Sequence, residues 1–392
     1  MAEGASAVGG ERVEERPGSS QRDEVRVSTL ELFFDLVFVF TITQLTAVLA
    51  HEPNGTGVLR VGVMLVVIWW MYGGYAWLTN VVAPDRMAYQ LLLLSGMAAF
   101  LVLSLAIPTA FAGGGLEFGL AYLVIVLIHA GLFTRSQAGA SAAAILRVAP
   151  LNLVAALAIV AAGIAGGVAR EALWAVAVAV IVLPSLRPPD PRFEIAPGHF
   201  VERHGLVVIV ALGESVVAVG IGASGHPLTA GLVAVAVLGL ALTACLWWTY
   251  FGEGEDERAL EAMRSASPRE RPRLALSGFY HCHLLILFGV IAIASALESA
   301  IAHPGDPLSF PRSLALAGGA ACFLTGDALF RRTLSIGATR WRLTAAVLAL
   351  AALPLGTEAS AVSEVAALVA VLLGCLVLDL RGRRRMPAVR SI

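Results

Sequence analysis

Apolar runs of about twenty residues recur along the whole chain, separated by short breaks rich in Pro, Gly and Arg. The runs are continuous rather than alternating, which is a helical pattern and not that of strands closing a barrel. A bilayer core is crossed by roughly 20 apolar residues in helical form. The pattern predicts twelve helices, over 28–50, 58–80, 88–110, 116–134, 146–167, 171–186, 205–225, 228–251, 277–300, 312–330, 340–356 and 362–380. The Pro- and charge-rich stretch Arg187–Gly198 parts them into two sets. The expected organisation is a disordered cytoplasmic tail (1–27), six helices (28–186), a linker (187–204), six more helices (205–380) and a basic cytoplasmic tail (381–392). The first tail mixes charges of both signs and precedes an apolar run too long for a cleaved leader.

Composition agrees with the pattern: 58% of the 392 residues are hydrophobic and 14% charged, against about 25% charged in soluble domains. The fold class is therefore an all-α polytopic membrane protein whose first partner is lipid. A net charge of −1 gives no field to attract nucleic acid. Cys245, Cys282, Cys322 and Cys375 stand singly in apolar runs with no metal-ligand spacing. Phosphate loops, nucleophile elbows, HExxH and dinucleotide fingerprints are absent from the sequence. The expectation is a protein with no catalytic residues, metal or cofactor, and not an enzyme. All 27 basic residues are Arg, and all but Arg60, Arg170 and Arg312 fall in the tails or the even-numbered connections. The positive-inside rule then places both termini in the cytoplasm.

Four motif pairs recur in the same order. Phe34–Val37 aligns with Gly213–Val216, Trp69–Tyr72 with Trp247–Tyr250, Leu132–Arg135 with Leu329–Arg332, and Glu171–Arg187 with Glu364–Arg381. Six helices per unit is an even number, so the pairs predict two parallel six-helix repeats about an axis along the membrane normal.

Polar residues inside the runs carry the chemistry. An ionised carboxylate at membrane depth costs at least about 2.5–3.5 kcal/mol, so such groups face a bundle interior or a wet cavity. Helix 1 carries two, Glu31 and Asp35, one turn apart on one face. The repeat pairs Asp35 with Glu214, each expected about 10–13 Å in from the cytoplasmic side at 1.5 Å per residue. His129, His281, His283 and Asp327 are expected in that same half, and Glu298 at the outer end of helix 9. Carboxylates and His at such depth suit a proton or cation site. Interhelical hydrogen bonds that merely lock the bundle are the competing reading. Val210 stands where a match for Glu31 would be, so Glu31 reads as a structural charge and Asp35 as the functional one. His283 and Glu298 lie about 22 Å apart along one helix and cannot share a metal. Glu202-Arg203-His204 reads as a juxtamembrane segment, although Arg203 and Glu214 share a helix face. The Trp pairs ending helices 2 and 8 read as interface anchors.

The stretches LELFFDLVFVFTITQL, ERHGLVVIVALGES, WWTYF and YHCHLLILFGVIAIASALE resemble the bacterial low temperature requirement protein A (LtrA) family over about residues 25–380. The resemblance implies a multi-pass protein of the bacterial plasma membrane and transfers no substrate or site residue. Phe34-Asp35-Leu36-Val37-Phe38 also echoes potassium channels with a Phe-Ser-Asp motif on the first helix of each repeat. Phe34 replaces the Ser, Thr29 the Arg, and the second repeat reads Gly213-Glu214. The functional expectation is a secondary transporter or ion-handling protein for a small solute, cation or proton. The alternatives are a non-transporting scaffold or stress-adaptation protein, and a cation channel.

Overall fold

The computed structural model describes residues 27–81, 86–135, 139–252 and 254–384. The expected tails lie outside them, apart from Val27 and the 381–384 turn. The described residues are helical, and 12 helical spans are long and apolar enough to cross a membrane. In order these are α1 (Thr29–His51), α2 (Gly55–Val81), α3 (Met87–Ala106), α4 (Gly115–Arg135), α5 (Gly139–Ile164), α6 (Gly167–Ser185), α7 (Pro197–Ala223) and α8 (Ala230–Phe251). After the short helix α9 (Glu255–Ser265), the turn α10 (Arg271–Leu274) runs through a π-helical stretch, Ala275–Cys282, into α11 (His283–Ala302). The last three are α12 (Phe310–Leu334), α13 (Arg340–Ala351) and α14 (Ala361–Arg384).

Short loops make successive spans antiparallel, so the start of α1 and the ends of α2, α4, α6, α8, α12 and α14 share one face of the bundle, here the N-face. The outward sides are apolar: Phe33, Leu36, Leu101, Leu105, Leu157 and Val347 are exposed. A membrane protein with a lipid-facing shell must look like this, because lipid replaces water as the outer solvent. The inward sides form a large apolar core, with α11 near its middle, packed on α1, α2, α7, α8, α12 and α14, and a smaller apolar cluster gathers around Phe200, Met263 and Phe279.

Small residues set the closest crossings. A Cβ at Gly119 of α4 would lie 2.7 Å from the Val160 Cα of α5, and one at Gly289 of α11 would lie 2.6 Å from the Gly319 carbonyl oxygen of α12.

Neighbour relations recur between the halves. α1 packs on α2 and α3 as α7 packs on α8 and α11. The chain α3–α4–α5–α6 is matched by α11–α12–α13–α14, and α2–α6 by α8–α14. Two of the motif pairs from the sequence, Phe34–Val37 with Gly213–Val216 and the Trp pair, do not sit at matching depths, however. Trp69 is twelve residues from the end of α2, whereas Trp247 is four from the end of α8. Trp69 is fully buried while Trp247 is 41% exposed, so the α2 pair is not an interface anchor as expected.

Three of the differences from the sequence pattern have a clear local reason. α7 begins at Pro197, which occupies the first turn, where its missing N–H and fixed φ are tolerated. Glu202-Arg203-His204 is therefore inside the helix. The expected 252–275 loop contains α9, whose first turn carries Glu255, Asp256 and Glu257, acids favoured at a helix N-terminus. The ninth span starts at Arg271, with Pro272 in its first turn, six residues earlier than its apolar run.

Candidate functional site

The first charge cluster is built at the N-face end of α1. Ser28 and Glu31 form a capping box that starts the helix. One Glu31 oxygen accepts from the Ser28 N–H at 2.9 Å and the Ser28 hydroxyl at 2.8 Å. The other meets the Arg203 guanidinium at 2.6 Å and His199 Nε2 at 2.9 Å. Arg203 also donates to the Thr79 hydroxyl at 2.7 Å and reaches Asp35 Oδ1 at 3.3 Å. The Tyr72 hydroxyl donates to the same Asp35 oxygen at 2.7 Å, and Arg203 lies over the Phe34 and Tyr72 rings. Glu31, Asp35 and Arg203 are each at most 2% exposed. Two carboxylates thus share one guanidinium, Glu31 alone also meets an imidazole, and Asp35 Oδ2 has no hydrogen-bond partner among the described residues.

Glu214 lies elsewhere on the same α1–α7 seam. Its carboxylate accepts from the Thr43 hydroxyl at 2.6 Å. It forms no ion pair among the described residues, and the nearby charge that acts on it is another acid, Glu298 of α11. Thr43 is eight residues beyond Asp35, roughly 12 Å along α1. The expectation that Asp35 and Glu214 share a depth in the N-face half is therefore corrected. With α7 starting at Pro197, Glu214 is seventeen residues in and nine from the far end, so it belongs to the other half. The cause is a register the apolar run could not show: the first eight residues of α7 are polar enough to read as linker.

The remaining expected residues are dispersed. Asp327 belongs to a second cluster, bonded to Arg342, which also meets Asp379 at 2.7 Å and donates to the Thr249 carbonyl at 3.1 Å. Arg331 stands one turn below Asp327 and pairs with Glu255 of α9, so three acids and two buried arginines close this cluster. His283 is held between the Tyr250 hydroxyl at 2.8 Å and the Gly278 carbonyl at 2.9 Å. His281, on the other side of the π-helical stretch, meets the Ser185 hydroxyl at 3.1 Å. His129 packs against Tyr75 and Phe133. The structure thus brings Glu31 and Asp35 together on Arg203, sets Glu214 apart on Thr43, and leaves the three His and Asp327 in separate surroundings. Among the described residues no group of three His, Cys, Asp or Glu is placed to hold a metal ion.

Sequence reasoning passed over His199, Tyr72, Thr79, Arg342, Arg331, Asp379 and Glu255. One signal was available: His199/Arg203 and Asp327/Arg331 are both i,i+4 pairs within helices, which places each pair on one face.

A polytopic helical bundle with charged clusters buried in an otherwise apolar core defines the class: an integral membrane protein. The profile of the bacterial low temperature requirement A protein (LtrA) family matches residues 26–377, and the chain belongs to that family. It is 29% identical over 327 residues, 80% of this chain and 79% of the relative, to an uncharacterized protein of Rhizobium meliloti (strain 1021). No solved structure matches it.

Proposed function

We propose that the chain is an ion-coupled secondary transporter of the bacterial plasma membrane, in which Glu214 takes up the coupled proton or small cation. One observation carries this reading. Glu214 is 2% exposed, has a single hydroxyl donor in Thr43, and forms no ion pair among the described residues. A carboxylate at that depth without a cationic partner is expensive; a bound proton or cation removes the cost. Thr43 supplies a further oxygen for it.

The α1–α7 seam would be the path, with Asp35 and its unpartnered oxygen as the station nearer the N-face. The recurring neighbour pattern supports two parallel six-helix repeats that rock against one another about this seam. The arginine distribution supports an N-face in the cytoplasm. No step of this reading calls for catalysis or a cofactor.

Proteoliposomes enclosing a pH-sensitive dye test it, with proton, Na⁺ and K⁺ gradients imposed in turn. The wild type should dissipate at least one gradient, and Glu214→Gln should reduce that flux to the level of empty vesicles. Unchanged flux in Glu214→Gln, or no flux with any gradient, would remove the assignment.

A non-transporting structural protein is the second reading. Its support is the closure of the Arg203 and Arg342 clusters by internal partners, which suffices to lock helices. It predicts no flux, with the same substitutions lowering only the folded yield.

A further inference from the structure

Away from the Glu214 seam, a cavity of about 320 Å³ lies between α2, α5, α6, α7, the 187–193 connection and the π-helical stretch before α11. Small-molecule pockets run from about 300 to 1,000 Å³, so this one is sized for a compact ligand. Its walls are aromatic: Trp70, Trp77, Phe193, Phe200, Phe279 and Tyr280 line it. The indole donors are already committed. Trp70 donates to Asn152 Oδ1 at 2.8 Å and Trp77 to the Glu194 carbonyl at 3.3 Å. The rings therefore offer faces and edges rather than hydrogen bonds, which suits a flat apolar body.

A few polar atoms remain on this wall. His129 lines the cavity, is 3% exposed, and its Nε2 has no hydrogen-bond partner among the described residues. It sits against the backbone of Gly74, where an added Cβ would approach Nε2 to 3.0 Å. Its nearest polar neighbour, the Gly74 backbone, is not aligned for a full hydrogen bond, so this buried nitrogen is under-satisfied for the water it has lost. His204 places Nδ1 on the Phe200 carbonyl at 2.8 Å, which leaves Nε2 for another partner. Asn152 has spent its carbonyl oxygen on Trp70, and its amide N–H₂ is still a donor.

The N-face mouth is basic. Arg147, Arg187 and Asp190 line it. Asp190 is held by Arg192 at 2.6 Å and by Arg147 at 3.2 Å. Hydrogen bonds from Arg192 pull its carboxyl down from the ordinary 3.8 to about 2. Arg187 has no ion pair among the described residues, so the mouth keeps a positive surplus.

We infer that this cavity binds a small amphipathic anion, with its apolar body among the rings, a hydrogen-bonding group at His129, and a carboxylate or phosphate at Arg147 and Arg187. Guanidinium forks are matched to such oxyanions and give short, strong bonds. The anion could come from solution or be the headgroup end of an acidic lipid, and the chemistry at the mouth is the same for both.

Quenching of tryptophan fluorescence by bromine reads occupancy directly, since Trp70 and Trp77 face the cavity. The full chain carries Trp247→Phe and Trp248→Phe to remove two exposed indoles, and sits in phosphatidylcholine nanodiscs. One arm titrates 6-bromo-2-naphthoate, and the other replaces part of the lipid with brominated phosphatidylglycerol. The expected result is saturable quenching in at least one arm, with half-saturation raised roughly ten-fold or more by Arg147→Gln with Arg187→Gln. The neutral 2-bromonaphthalene should be indifferent to those two substitutions. Both arginines are exposed, so the variants keep the core intact. Saturation by the naphthoate alone identifies a soluble anion, and saturation by the lipid alone identifies an acidic lipid; both uphold the site. Linear, unsaturable quenching in both arms, or saturation that ignores the arginine substitutions, would overturn it.

Discussion

Arg203 sits between two buried acids, and its partners are not equal in what they would lose without it. Removing one partner of a buried ion pair typically costs about 3–5 kcal/mol, because the other charge is left uncompensated. Arg203→Met strands both Glu31 and Asp35 and should fall at the upper end of that range. Asp35→Asn should cost less, since it leaves Glu31, His199 and Arg203 bonded to one another. Thermal unfolding of the detergent-solubilised variants, followed by size-exclusion chromatography, checks the order; equal losses would mean that the Glu31–His199–Arg203 contacts do not hold the cluster without Asp35. The acids themselves were legible in the sequence, because two carboxylates in an apolar helix cannot be ignored. Their partner was not. Arg203 is 172 residues from Glu31, and nothing local to either residue specifies that meeting. The Ser28–Glu31 capping box was likewise readable as a motif, but its second duty toward Arg203 and His199 depends on how α7 packs.

Among elements, α7 is where sequence and structure part most. Its apolar run begins near Gly205, yet the helix begins at Pro197. The added turns carry His199 and Arg203 inside and move Glu214 toward the far half. Hydropathy sees what lipid would accept and cannot see a polar turn that other helices cover. The α11–α12 crossing is the converse case, where the sequence shows small residues but not which ones meet. A Cβ at Gly289 would press on the Gly319 carbonyl and the Phe323 backbone, neither of which can yield without moving a helix. Gly289→Val should therefore destabilise by about 1–3 kcal/mol or more, as overpacking does. Gly318→Val, on the same pair but opposite only a flexible Leu314 side chain, should be near neutral. Melting temperatures of the two variants decide it, and equal behaviour would argue against the close crossing. The connection between α6 and α7 carries a pH-dependent contact. Arg192 holds the Asp190 carboxyl near 2 in the folded chain against an ordinary 3.8. A depressed carboxylate stabilises the fold above its ordinary value and loses that contribution as pH falls from about 4 toward 2. Arg192→Gln should bring the Asp190 titration back toward 3.8, read as the carboxyl carbon shift of Asp-labelled protein; a titration still near 2 would mean Arg147 suffices.

Across the whole molecule, twelve spans were legible because each must supply its own length of apolar helix. Their arrangement was legible only as a hint. Helix neighbours recur from one half to the other, while two of the four motif pairs that suggested the repeat lie at unequal depths, so similar sequence did not always mark equivalent places. Orientation can be tested at the same scale. With the four native cysteines replaced by alanine or serine, a cysteine at Asn54 between α1 and α2 should react with an impermeant maleimide in intact cells. One at Ser267 between α9 and α10 should react only after lysis. The reverse pattern would place the N-face outside.

The seam between α1 and α7 remains the centre of the account, and Glu214 its central residue. Infrared difference spectroscopy reports directly whether that carboxyl takes up an ion. Spectra of the reconstituted protein are recorded as pH, Na⁺ and K⁺ are stepped, and the Glu214→Gln spectra are subtracted. The account predicts a carboxyl or carboxylate band that responds to at least one of these steps in the wild type and is missing from Glu214→Gln. Identical spectra from the two proteins under every step would contradict it.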